Sequence, residues 1–190
     1  MHIRHKASVE LSQLVIVDMQ TRLMSAMPDE AMQMTIKNCT HLVTAAAMLT
    51  VPTVITEQYS KGLGHTVPEI LNALSQATIP LNPIEKTAFS CMAEPTFRRQ
   101  LSSDKSQIIL AGMEAHICVL QTALDLVDNH FKQVLVVEDA IISRNSANKA
   151  NAIARLRDAG CIITNTESTL FEWLGKAEGE AFKVISKMVK

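Results

Sequence analysis

The sequence predicts an α/β domain in which a parallel sheet is sandwiched between helices. Three observations predict it: short, continuously apolar, β-branched runs; longer stretches whose apolar residues recur every three or four positions; and alternation of the two along the chain. Continuous apolarity marks strands buried on both faces, and a parallel sheet with helices on each side buries its strands in that way. At 190 residues, with no evident linker, repeat or low-complexity tract, the chain reads as one domain over residues 1–190, large enough to bury a core without staples.

The elements follow in order. QLVIVDM (residues 13–19) is a β-branched run bounded by polar residues and reads as the first strand. After Pro28 a long helix is expected, because Met32, Ile36, Cys39, Val43 and Ala46 form one apolar stripe. VPTVITE (51–57) is the second strand, and KGLGH is a glycine-rich loop behind it. A helix near residues 67–75, a weak extended segment near 80–85 and a helix near 94–101 come next. QIILAG (107–112), QVLVVED (133–139) and CIITNTE (161–167) complete the strands, each followed by a helical pattern.

Composition limits the function. Hydrophobic residues make up 47% and charged residues 19%, a globular balance with neither disorder nor a membrane span. Eighteen Lys and Arg nearly cancel nineteen Asp and Glu. With no basic stripe, a nucleic-acid partner has no electrostatic footprint, and a small neutral or mildly charged ligand fits better. The opening MHIRHKASVELSQ lacks an apolar signal region, so a cytoplasmic location is expected. Cys39, Cys91, Cys118 and Cys161 are scattered and form no CxxC pair, which in a reducing compartment argues against both a disulfide framework and a zinc site.

In a parallel α/β sheet the ligand site lies beyond the carboxyl ends of the strands, at the point where strand order reverses. Three polar residues fall at such ends: Asp18, Lys86 and Cys118. Each has an ordinary reading alone. Asp at a strand end serves as a turn or cap residue, Lys as solvated surface, and Cys as a small buried hydrophobe. DMQT also resembles the start of an aspartyl phosphatase motif, but Gln20 stands where that motif needs a second carboxylate. Together the three change weight. A thiol near a helix N-terminus feels the positive end of the dipole, and Cys118 is expected to have its pKa lowered from about 8.5 toward neutrality. His116 is the nearest alternative partner. At two positions' separation it points about 200° away around a helix, so it reads as a helix-start or supporting residue.

LVIVDMQ with Asp18, EKTAFS with Lys86 and LAGMEAHICVLQTA with Cys118 resemble the isochorismatase-like, or cysteine hydrolase, superfamily. The loop TEQYSKGLGHTVPE resembles the subgroup of isochorismatase domain-containing proteins. The resemblance implies a Rossmann-like three-layer α/β/α domain with a six-stranded parallel sheet, and an Asp18, Lys86, Cys118 triad. It leaves the substrate open, since the superfamily includes nicotinamidases, carbamoyl-amide hydrolases and isochorismatases. Nicotinamidase-like members carry an Asp-x-His ligand pair after the second strand, and Gln58 and Ser60 occupy those positions here. No metal and no cofactor are therefore expected. Isochorismatases proper generally lack the cysteine, so Cys118 favours acyl transfer.

With family roles attached, Asp18 is the general base for the thiol, Lys86 holds that carboxylate ionised, and attack on a carbonyl gives an oxyanion and then a thioester. The backbone amides of Glu114 and Cys118 are the implied oxyanion donors, preceded by a cis peptide at Met113–Glu114. Gln58, Phe89 and Glu114 are candidate substrate-binding residues. Phe89 has a competing reading as core, and Glu114 one as a solvated helix-start acid. The family's habit of assembly implies a homo-oligomer, for which Phe182, Ile185 and Val189 offer a stripe. A binding or scaffold protein with a vestigial site is the alternative from another class. Redox sensing at Cys118 is a third, set against the absence of a resolving cysteine nearby in sequence.

Overall fold

Two polar residues and four apolar ones, SQLVIV, form β1 (Ser12–Val17), and every one of them is buried. The computed structural model describes residues 5–76, 82–129 and 133–190. Along the chain follow α1 (Thr21–Met24), α2 (Asp29–Met48), β2 (Thr53–Gln58), α3 (Ser60–Leu63), α4 (Pro68–Gln76) and β3 (Ile84–Lys86). Then come a 3₁₀ turn (Cys91–Ala93), α5 (Pro95–Gln100), β4 (Gln107–Met113), a π-helical turn (Ala115–Val119) and α6 (Leu120–Asp128). β5 (Gln133–Ile142), α7 (Ser146–Asp158), β6 (Ile162–Thr164), α8 (Thr166–Leu174) and α9 (Gly179–Met188) complete the chain.

The strands form one parallel six-stranded sheet in the order β3-β2-β1-β4-β5-β6. The chain winds outward from β1 to β3, then returns to the other side of β1 with β4. The order therefore reverses between β1 and β4, the point beyond whose carboxyl ends such sheets place their ligand site. Alternate strand residues serve two cores. Leu14, Ile16, Ile109, Ala111 and Leu135 belong to the core that includes α2, α4, α8 and α9, while Val15, Val17, Ile108, Leu110 and Val136 belong to the core with α5, α6 and α7. The α2 stripe of Met32, Ile36, Cys39, Val43 and Ala46 is buried throughout, as its three- and four-residue spacing requires.

Some boundaries differ from the sequence reading for local reasons. CIITNTE contributes only Ile162–Thr164 as strand, because the Asn165 side chain accepts the Ser168 amide and starts α8. The KGLGH loop contains a helical turn, α3. The extended segment near 80–85 is strand from Ile84, and its beginning lies outside the described residues. At the C-terminus, Ile185 is buried and Val189 packs against the same core as α2. Phe182 meets Phe171 edge to face at 6.5 Å between ring centroids. The stripe expected to meet a second copy is thus largely spent on this chain's own core.

Candidate active site

The reversal of strand order brings Asp18 and Cys118 to one place. Asp18 follows β1 with φ of +50°, a left-handed conformation that Asp tolerates better than most residues because its short polar chain can bond locally. Val17 just before it pairs with Thr56 on one side and Gly112 on the other. Gly112 has φ of +117°, and a Cβ there would lie 2.1 Å from the Val17 carbonyl oxygen. Only glycine lets β4 pass so near the base of Asp18. The Met113–Glu114 peptide that follows is cis. The chain then enters the π-helical turn, where the amides of Ile117 and Val119 both return to the Glu114 carbonyl, at 3.1 and 3.2 Å. Cys118 lies between them.

Asp18, Lys86 and Cys118 meet in the interior. Lys86 Nζ donates to Asp18 Oδ2 at 2.7 Å, and neither side chain reaches solvent. The same ammonium donates to Gln58 Oε1 at 2.6 Å and to the carbonyls of Ala88 and Phe89 at 3.3 and 3.2 Å. Burial works against the charge on Lys86, yet the attraction of Asp18 and of the Cys91 and Cys118 sulfurs outweighs it, and its pKa is raised. Asp18 also receives the Thr56 hydroxyl on Oδ1 at 2.7 Å, and its charge acts on the nearby Cys118 thiol.

The thiol does not behave as its helix position predicts. Burial first, and then the charge and hydrogen bond of Asp18, push the Cys118 pKa up to about 12 against the pull of Lys86. The dipole of one turn, worth about 0.3–1 kcal/mol, is too small to offset those effects. At neutral pH Cys118 is therefore a thiol beside a carboxylate.

The remaining candidates separate. Gln58 is fixed rather than free: it accepts from Lys86 and donates to the Thr87 carbonyl at 2.8 Å. Phe89 is 54% exposed, so its core reading is overturned, and its backbone carbonyl accepts from Lys86. The solvated-acid reading of Glu114 is overturned as well. Its side chain is 3% exposed and ion-paired to Arg144 at 2.5 Å, while a second oxygen accepts the Arg144 amide at 2.9 Å. With both oxygens engaged, the Glu114 side chain supports the loop after β5 instead of offering itself to a substrate. Burial would raise the Glu114 pKa, but the Arg144 bonds and charge hold it below the usual carboxylate range. His116 bonds Ser143 Oγ at 2.9 Å, in the supporting role its spacing predicts. Ser60 bonds Glu85, and among the described residues no His, Cys, Asp and Glu cluster has the makings of a metal site.

Three residues around the site escape sequence reasoning. Thr56 reads as one more β-branched strand residue, Cys91 as a small apolar one, and Arg144 as loop surface. The available signal is register: strand-end residues on neighbouring strands share one edge, and Thr56 stands beside Val17 there.

A doubly wound α/β domain with a thiol, a carboxylate and a buried ammonium at its switch point defines the class. The isochorismatase domain matches residues 12–168, and the chain belongs to that family. The isochorismatase domain-containing protein 2 of Bos taurus is 40% identical over 151 residues, 78% of this chain and 70% of that protein. The secreted isochorismatase effector Isc1 of Phytophthora sojae strain P6497 is 41% identical over 152 residues, 78% of this chain and 71% of the effector. Among solved structures, a protein described as MAR1 ribonuclease from Caenorhabditis elegans is 35% identical with a TM-score of 0.87, covering 97% of this chain and 92% of that one. Family membership supports a hydrolase.

Proposed function

We propose that the chain is a cysteine-dependent hydrolase of small amide-type or related electrophilic substrates, working through Asp18, Lys86 and Cys118. The observation that carries this reading is that one buried carboxylate is paired with the Lys86 ammonium and lies close enough to the Cys118 thiol to shift its pKa. A thiol near pKa 12 is almost wholly protonated at neutral pH, so it becomes a nucleophile by losing its proton during attack, and Asp18 is the group placed to take it. Lys86, held charged, offsets the negative charge that would otherwise keep that proton in place.

The steps balance on these groups. Cys118 Sγ bonds to the substrate carbonyl carbon while its proton passes to Asp18, and the carbonyl π bond becomes an oxyanion. The amides of Glu114 and Cys118 are the proposed donors to that oxygen, each typically worth about 10²- to 10³-fold in rate. Collapse breaks the C–N bond, the amine leaves with the proton from Asp18, and a thioester remains. Water then adds with Asp18 again as base, releasing the acid and regenerating the thiol.

Gln58 and Ser60, in place of an Asp-x-His pair, are committed to Lys86 and Glu85, which supports a reaction without metal; activity should survive EDTA. The small-molecule reading is preferred to a polymer substrate because Cys118 is 5% exposed and acidic and basic residues nearly balance. The free, buried state of all four cysteines is compatible with the cytoplasmic location proposed. No helix among the described residues is long and apolar enough to cross a membrane. A homo-oligomer is the proposed assembly, read by light scattering.

The test is a screen of small amides and esters with wild type and Cys118→Ala, with intact mass recorded during turnover. An acyl adduct on wild type, absent from the variant, is the expected result. Hydrolysis by neither protein would leave the vestigial-site reading in its place, and equal hydrolysis by both would remove Cys118 from the mechanism.

A further inference from the structure

Thr56 lies at the end of the pairing between β1 and β2, with its side chain fully buried. Its carbonyl accepts the Asp18 amide at 3.1 Å, and its hydroxyl donates to Asp18 Oδ1 at 2.7 Å. Asp18 Oδ2 is taken by Lys86 at 2.7 Å. A threonine hydroxyl has one proton to give, and once it goes to Oδ1 the hydroxyl oxygen is left as an acceptor. Cys91 Sγ lies 3.8 Å from that oxygen and donates into it. Burial pushes the Cys91 thiol up to about 11, so at neutral pH it keeps the proton that makes it a donor.

We propose that Thr56 is a positioning residue for Asp18: its hydroxyl, steered by the Cys91 thiol, stabilises the ionised carboxylate and fixes its rotation toward Cys118. The proposal rests on reading Asp18 as the base for Cys118. Rotation about the last bond of an aspartate is otherwise soft and broad. Two different donors, one on each oxygen, remove that freedom before a substrate arrives. A hydrogen bond to the charged form also favours that form over the protonated one. Thr56 therefore holds the Asp18 carboxylate in one orientation, ready for the thiol proton.

The experiment uses iodoacetamide, which needs no knowledge of the natural substrate. In this reaction Cys118 Sγ bonds to the methylene carbon, the carbon–iodine bond breaks, iodide leaves and the thiol proton goes to Asp18. The rates at Cys118 and Cys161 are followed by peptide mass spectrometry at neutral pH, in wild type, Thr56→Val and Thr56→Ser. Thr56→Val should lower the ratio of Cys118 to Cys161 labelling by about tenfold, and Thr56→Ser should restore it. A purely structural role would lower stability without changing that ratio. If Thr56→Val does not fold, Thr56→Ala, which adds no bulk, carries the same comparison. An unchanged ratio while wild-type Cys118 still labels ahead of the other cysteines overturns this proposal alone. Failure of wild-type Cys118 to label selectively overturns the nucleophile reading beneath it.

Discussion

Lys86 Nζ and Asp18 Oδ2 stand 2.7 Å apart with neither side chain accessible to solvent. Such a pair costs desolvation on both sides, so its value appears when one partner is removed and the other charge is stranded. Lys86→Met should destabilise the fold by about 3–5 kcal/mol. Adding Asp18→Asn to that variant should recover part of the loss. Chemical denaturation of the two single variants and the double variant measures the coupling, and additive losses would show that the two charges stand independently.

Asp18→Asn carries a second, less obvious expectation. The charge and hydrogen bond of Asp18 both raise the Cys118 pKa. Removing them makes the thiol more acidic, since burial and Lys86 remain. Turnover should nevertheless fall, by about 10²- to 10⁴-fold, because the proton acceptor is gone. Ultraviolet thiolate titration beside turnover separates the two effects. A thiol unchanged in acidity would contradict the electrostatic account.

The Glu114–Arg144 pair gives a pH dependence. Glu114 has its pKa depressed in the folded state despite burial, through its bonds to Arg144. A depressed carboxylate contributes stability that is present above the unfolded value, about 4.3, and is lost as pH falls through the folded value. Arg144→Ala should therefore cost about 1–3 kcal/mol near neutrality. The gap to wild type should narrow as pH drops below the ordinary carboxylate range. Denaturation at several pH values reads it, and a gap that widens in acid would have the wrong sign.

Gly112→Ala tests the contact between the two strands that meet beneath the site. The added Cβ would sit 2.1 Å from the Val17 oxygen at a φ of +117°, so the backbone must move. A loss of at least about 2 kcal/mol is expected from strain and overpacking together. Thermal melting measures it. An unchanged melting temperature would mean that β1 and β4 separate there without penalty.

Much of this was legible in the sequence because it depends on local pattern. Buried parallel strands show as continuous apolar runs, and a residue at the end of such a run lies on the ligand-bearing edge, which is how Asp18, Lys86 and Cys118 could be picked out. What the pattern does not carry is the sum of tertiary effects. The Cys118 thiol goes up rather than down because the fold buries it and because β1 and β4 are neighbours, which brings a carboxylate from one hundred residues earlier close to it. Glu114 looks like a solvated acid until the loop after β5 delivers Arg144 beside it. Phe182, Ile185 and Val189 keep their helical spacing whether the face they cover belongs to α2 or to another chain, so spacing alone could not choose. Thr56 is indistinguishable from a plain strand residue until register sets it beside Val17.

The central claim is that Cys118 is made nucleophilic by its neighbours and not by a low resting pKa, and the other cysteines supply the control. Cys161 is as exposed as Cys118, at 5%, and burial raises its pKa only to about 11 against about 12 for Cys118. Exposure and acidity alone would therefore favour Cys161. The most direct measurement is competitive labelling of the native protein at neutral pH with substoichiometric iodoacetamide, quantified at Cys39, Cys91, Cys118 and Cys161 by peptide mass spectrometry. The account predicts that Cys118 labels first. Labelling led by Cys161 would contradict it.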